Sequence, residues 1–344
     1  VINQYGFTVR ERRRLGFANK LYDWILVTRM KYINLGRTGL KVSRLCLGTF
    51  NFYHVTPENE ALSILNLAES CGINFFDTAN IYGKEKSCRG AAESLIGEWL
   101  QKKKGRRNHI VLCTKVYGPM SDEINHCGLS AYHIRQACED SLRRLKTDHI
   151  DVYQMHHFDP ATPLEEIWQA FEILIAQGKV LYIGSSNFSA GQIYKTQFAA
   201  EKKGLFGLVS EQSIFNLIER SVEFEVLSAI KDIGMGFMPW SPLAGGLLAG
   251  AKKAGDPGRR SLPHKQQEFE QNSAALMEYE NICTELNIKP SLVALAWLMQ
   301  HECVTAPVIG ARNTEQLQEN LQSLEVNLTD DYMERLNRLW PGPG

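Results

Sequence analysis

From residue 44 onward the chain repeats one unit eight times: a short apolar run that reads as a strand, then a longer amphipathic or polar stretch. The runs are RLCLGTF (44–50), INFFD (73–77), HIVLCTK (109–115), HIDVYQMH (149–156), KVLYIGSS (179–186), LVSEQ (208–212), GMGFMPWS (234–241) and VTAPVIG (304–310). Most are continuously apolar rather than alternating, as parallel strands covered on both faces must be. The stretches between them carry helix signals. TPENEALSILNLAESCG has Thr56 as a candidate N-cap, Pro57 at the first helical position and Gly72 as a stop. LSAYHIRQACEDSLRRL places Ile134, Cys138, Leu142 and Leu145 on one face. Eight βα units predict an α/β fold of the (β/α)₈ TIM-barrel type, with functional groups at the C-terminal ends of the strands. MKYINLGRTGLKVS, from Met30, reads as a β-hairpin that caps the N-terminal mouth. A doubly wound sheet is the competing architecture. Its nucleotide-binding form needs a glycine fingerprint between strand and helix, and Gly234-Met-Gly236 runs on into Phe-Met-Pro instead.

These signals define one domain over residues 30–340, preceded by an extension over residues 1–29. The extension carries charges through its apolar part, which spoils a secretory signal, and the folded domain is expected to start near Met30. Thirty-eight basic residues balance thirty-eight acidic ones, so there is no net field to recruit nucleic acid or an anionic membrane. The basic cluster Lys102–Arg107 reads as a solvated helix end. Eight scattered cysteines without a CxxC pair indicate a reducing, cytoplasmic compartment. No apolar run reaches the roughly 18 residues a membrane span requires.

Asp77, Tyr82, Lys115 and His156 lie at or just beyond the ends of successive strand-like runs. In a parallel barrel all four converge at one mouth, where a carboxylate, a phenol, an ammonium and an imidazole form a proton-transfer site. Tyr82 is the candidate general acid. A lysine ammonium about 4 Å from a phenol favours the phenolate by roughly 4 kcal/mol at an effective dielectric of about 20, or about three pKa units. Lys115 can supply that charge, Asp77 can hold the lysine although its own charge partly offsets the effect on Tyr82, and His156 can donate to a substrate oxygen. Two other chemistries use the same parts. Lys115 could form a Schiff base. His156, His157 and Asp159 could bind a metal, but neighbouring side chains on a strand point to opposite faces, so no metal site is expected.

The ordered segments GINFFDTANIYG, LCTK, DVYQMHH, YIGSSNF, SEQ, PWSPLAGGLL and VIGARNTEQLQEN resemble the aldo-keto reductase superfamily over roughly residues 30–330. That resemblance implies a (β/α)₈ barrel which binds NADP(H) without a Rossmann fold and reduces aldehydes and ketones. It makes Asp77, Tyr82, Lys115 and His156 the catalytic tetrad. Ser186, Asn187 and Gln212 would hold the nicotinamide carboxamide, and Trp240 would stack on the ring. Ser241, Leu243 and Gly245 would approach the pyrophosphate, while Gln316, Glu319 and Asn320 would line the adenosine site. Arg312 would pair with a 2′-phosphate.

The chain departs from the animal branch of that family, having Gly310-Ala311 where a Lys-Ser pair stands there and Gln316 where an Arg stands. Its GAR…EQ…EN pattern is closer to bacterial members and to potassium-channel β-subunits. The expected partner is a small-molecule carbonyl compound, contacted by Phe50, Phe52, Tyr53, His54, residues 117–127 and residues 249–272. The alternative is a cofactor-binding regulatory protein with slow turnover. No motif specifies the oligomeric state.

Overall fold

The computed structural model describes residues 30–83, 88–250 and 263–343. The expected extension over residues 1–29, and residues 251–262 of the stretch 249–272, lie outside the described residues. An antiparallel hairpin comes first, β1 (Tyr32–Asn34) and β2 (Lys41–Ser43). Eight parallel strands follow: β3 (Cys46–Gly48), β4 (Phe75–Asp77), β5 (Val111–Val116), β6 (Ile150–Met155), β7 (Val180–Ser186), β8 (Leu208–Gln212), β9 (Gly236–Phe237) and β10 (Val308–Ile309). They pair in the order β10-β3-β4-β5-β6-β7-β8-β9. The ring closes where Thr305 N donates to Phe237 O at 2.9 Å and Val308 N donates to Pro239 O at 2.8 Å. The expected barrel is therefore the observed one.

Side-chain alternation sorts the strands into two cores. Phe76, Leu112, Tyr153, Met155 and Ile183 join the larger cluster between strands and helices. Phe75, Val111, Cys113 and Val152 fill the barrel interior. The hairpin closes the interior from below. Leu35 is fully buried in the interior cluster, and Gly36 (φ 53°) rests so close that an added Cβ would lie 2.5 Å from both Gly234 O and Gly236 N.

Two local expectations shift. Helix Glu58–Ser70 takes Pro57, in extended conformation, as its N-cap, and Thr56 instead donates its hydroxyl to Arg312 O at 3.2 Å. The basic cluster is only partly solvated. Arg106 is buried over the Trp99 ring at 4.2 Å and pairs with Glu69 at 3.0 Å, because its planar cation can stack as well as pair. Ile134, Cys138, Leu142 and Leu145 do form the buried face of helix Ala131–Leu145.

Candidate active site

Each member of the quartet is positioned by a strand that ends at the C-terminal mouth. Asp77 closes β4, Lys115 is the penultimate residue of β5, and His156 follows β6. Tyr82 stands on the loop after β4, where Tyr82 N donates to Ala79 O at 3.1 Å and Tyr82 O accepts from Ala92 N at 3.3 Å. Lys115 is fully buried and its Nζ makes three bonds: to Asp77 Oδ2 at 2.6 Å, to Thr78 O at 2.8 Å and to the Tyr82 hydroxyl at 3.2 Å. That set saturates the ammonium and aims one donor at the phenol oxygen. The Tyr82 and His156 rings meet edge to face with centroids 6.1 Å apart.

The charges do not act as the bare pair predicts. Tyr82 has its phenol raised above the ordinary tyrosine range. Burial is the largest cause; Lys115 opposes it, and Asp77 adds to it. With a carboxylate 2.6 Å from the ammonium, the field reaching the phenol is close to that of a dipole. The expectation of a net downward shift is therefore corrected: Lys115 moderates the rise without reversing it. Lys115 itself is burdened by burial, which lowers its pKa, but Asp77 and Tyr82 carry it above the ordinary lysine range. His156 is held well below the ordinary histidine range by burial, by Lys115 and by His157, so its imidazole is neutral at physiological pH.

The two histidines correct another expectation. Their rings stack, with centroids 5.2 Å apart and planes within 10°. β6 ends at Met155, so residues 156 and 157 have left the strand and its alternation no longer separates them. Asp159 is engaged elsewhere, accepting Leu129 N at 2.8 Å and Thr162 Oγ1 at 2.9 Å. Among the described residues no group of three or more His, Cys, Asp or Glu side chains is placed to hold a metal ion.

The segments flagged for a cofactor rim the same mouth. Ser186 ends β7, and its hydroxyl donates to Gln212 O at 2.7 Å. Asn187 (φ 60°) joins three strand ends: its Nδ2 donates to His156 O at 3.1 Å and its Oδ1 accepts the Trp240 indole N–H at 2.9 Å. Trp240 thus presents a half-buried ring beside the tetrad. Gln212 reaches further inward than expected, donating through Nε2 to Asp77 Oδ1 at 2.8 Å. A β-bulge makes this possible. The β7–β8 register passes from Ile183↔Leu208 to Gly184↔Ser210, leaving Val209 as an extra residue that re-phases the strand.

Past β9, Ser241 (φ 54°), Ala244 (φ 49°), Gly245 (φ 65°) and Gly246 (φ 103°) form a tight turn, and Leu243 is half-buried within it. The Ser241 hydroxyl accepts Gly245 N at 3.2 Å, and a Cβ added at Gly246 would meet nothing within 4 Å. Past β10, Arg312 is half-buried just before helix Thr314–Leu321, whose N-cap is Asn313. Gln316 Oε1 accepts Arg312 N at 3.0 Å. Glu319 accepts from Lys289 Nζ at 2.8 Å and Ser291 Oγ at 2.5 Å, and Asn320 is buried. The sequence reading missed Gln154, the penultimate residue of β6, which also donates to Asp77 Oδ1, at 3.1 Å. Its signal was available: a fully polar side chain inside DVYQMHH, at an interior position of a strand.

A profile of the Aldo/keto reductase family matches residues 44–341. The chain belongs to the aldo/keto reductase family. Similar proteins include the oxidoreductase YrpG of Bacillus subtilis, 48% identical over 92% of this chain and 97% of that protein. The aldo-keto reductase dtxS3 of Metarhizium robertsii is 35% identical over 91% of this chain and 92% of its own. An Arabidopsis thaliana protein named a probable voltage-gated potassium channel subunit beta is 34% identical over 86% and 92%. This aldo/keto reductase is thus an oxidoreductase by family. Among its described residues no helix is long and apolar enough to cross a membrane.

Proposed function

We propose that this aldo/keto reductase is an NADP(H)-dependent carbonyl reductase that converts aldehydes and ketones to alcohols. The observation that carries the reading is the buried Lys115 ammonium, bonded at once to Asp77 and to the Tyr82 hydroxyl beside a neutral His156. A dinucleotide fits the rim in its chemistry. The turn at 241–246 brings backbone close to open space, which suits a pyrophosphate, and Arg312 immediately precedes the N-cap of helix Thr314–Leu321, where a guanidinium would suit a 2′-phosphate. Ser186, Asn187, Gln212 and Trp240 would hold the nicotinamide, with Ser241, Leu243 and Gly245 at the pyrophosphate. Gln316, Glu319 and Asn320 would stand near the adenosine, with Arg312.

When bound, the reduced nicotinamide supplies a hydride to the carbonyl carbon. Tyr82 hydrogen-bonds the carbonyl oxygen and releases its proton as negative charge builds there; burial raises its pKa and opposes that release, and Lys115 moderates the rise. Lys115 then stabilises the phenolate left behind, and Asp77 holds the lysine in register. His156, neutral, orients the substrate oxygen. Phe50, His54, Tyr117 and His157 surround the mouth, with Phe50 edge-on to Tyr82 at 5.3 Å and Tyr117 edge-on to His157 at 5.3 Å. This aromatic frame favours small or aromatic carbonyl compounds. Phe52 is fully buried in the core and is withdrawn from the substrate contacts.

The test is loss of NADPH absorbance against a panel of aldehydes and ketones. Tyr82→Phe should lower the rate by about 10²–10⁴-fold, the usual weight of a positioned general acid, with cofactor binding retained. An undiminished rate would sink the reading. A regulatory cofactor-binding role draws support from the Arabidopsis relative's name, and tight cofactor retention with turnover too slow to follow would favour it. A Schiff base at Lys115 is disfavoured, because Asp77 keeps that lysine charged and a protonated amine is no nucleophile.

A further inference from the structure

Gln154 stands inside the barrel directly beneath the tetrad, fully buried. Its Nε2 donates to Asp77 Oδ1 at 3.1 Å, the oxygen that also receives Gln212 Nε2 at 2.8 Å, while Oδ2 is left to Lys115. The other end of the amide is costly, since Gln154 Oε1 is buried without a hydrogen-bond partner. Leaving such a group unpaired is destabilising, a cost that leucine or methionine would avoid at similar volume. The neighbouring strand makes room for it. Gly184 sits opposite Gln154 in register, and a Cβ there would come within 3.0 Å of Gln154 Cγ and 2.5 Å of Ser210 Oγ. A packing role explains neither the unpaired carbonyl nor the glycine that accommodates the longer side chain.

We propose that Gln154 is a positioning residue: its bond to Asp77 Oδ1 fixes the carboxylate and withdraws part of its charge from Lys115, so that more of the ammonium's field reaches Tyr82. This rests on the function proposed above. Two amide donors on one carboxylate oxygen and an ammonium on the other divide the negative charge between opposite sides of the group. Without Gln154, Asp77 is freer to turn and cancels more of the Lys115 charge at the phenol. The effect on Tyr82 is upward.

The test uses Gln154→Met, which keeps the volume without a donor, and Gln154→Glu, which donates only while protonated. A glutamic acid beside Asp77 has its pKa raised by the like charge, so it stays protonated at mildly acid pH. Phenolate formation at Tyr82 is followed in the cofactor-free protein as the near-ultraviolet difference between each protein and its Tyr82→Phe counterpart. In Gln154→Met the Tyr82 midpoint should rise and kcat should fall about tenfold, the weight of one hydrogen bond to a charged group. KM and cofactor affinity should hold. Gln154→Glu should match the parent at acid pH and lose activity as pH rises. An unmoved Tyr82 midpoint with wild-type kcat in Gln154→Met overturns the proposal, as does a uniform loss of kcat, cofactor binding and thermal stability. If the parent protein reduces no carbonyl compound, the proposed function fails, while the Tyr82 titration still decides the part played by Gln154.

Discussion

The two mouths of the barrel are built from the same eight strands and solve opposite problems. At the lower mouth Leu35 enters an interior of Val42, Phe75, Val111 and Val152, and the hairpin backbone presses on Gly234 and Gly236. The interior side chains there are apolar, and their burial is directly stabilising; the polar ones nearby, Thr38 and Thr305, are hydrogen-bonded to backbone. At the upper mouth the interior holds Asp77, Lys115, Gln154 and Gln212, all at most 3% exposed. Burying that set costs solvation, which the mutual bonds offset. The lower end stabilises the fold so that the upper end can hold charges where water is scarce.

Changes at the upper mouth should therefore separate activity from stability, and changes below should do the reverse. The largest effect is expected for Asp77→Asn, which leaves Lys115 buried beside a neutral amide. A stability loss of about 3–5 kcal/mol is predicted in denaturant titration, together with loss of reduction. The double change Asp77→Asn with Lys115→Met should recover most of that stability and none of the activity. If the double variant is no more stable than the single one, the upper mouth is not an electrostatic cost. Leu35→Ala, below, should cost about 2–5 kcal/mol through the cavity it leaves, with kcat of the folded protein unchanged.

Glu211 sharpens the contrast within the upper half. It is fully buried behind β8, accepts from Ser185 and from Ser213 Oγ at 2.6 Å, and has its pKa pushed up to about 7, chiefly by burial. A folded carboxyl with a raised pKa favours the protonated state, so its contribution is fully present in acid and fades as pH rises through about 7. Glu211→Gln should raise the melting temperature at pH values about one unit above that midpoint and change it little at about pH 4, where the carboxyl is neutral in the folded protein and mostly neutral in the unfolded chain. A stabilisation that is equal at both pH values would refute the titration. The smallest effect is expected at the rim: Arg312→Ala should raise KM for NADPH about tenfold and leave KM for NADH unchanged, as loss of one charge-assisted phosphate contact requires. Reduction by the parent protein should show no inflection in the ordinary histidine range near about 6.5, since His156 is already neutral there.

Much of this was legible in the sequence. The strands were visible because buried parallel strands must be apolar along their length, and the quartet because polar residues at the ends of such runs are conspicuous. The family segments carried the rim. The contribution of Gln154 was harder to read, since a glutamine within an apolar run is informative only once its strand's interior face is known. The same holds for Phe52, which reads as a loop aromatic and packs as core.

What the sequence by itself determined is local: eight strands, their helices, the hairpin, and which side chains stand at strand ends. Periodicity and turn residues act over a few positions, so they are readable in order along the chain. Tertiary structure alone decided what depends on distant groups meeting. The extra residue Val209 turns Gln212 toward Asp77, the stacked pair His156 and His157 forms because β6 stops one residue short, and the Tyr82 phenol rises because burial and a 2.6 Å ion pair outweigh a bare lysine charge. Register and local dielectric are properties of the closed barrel, set by contacts far apart in the chain.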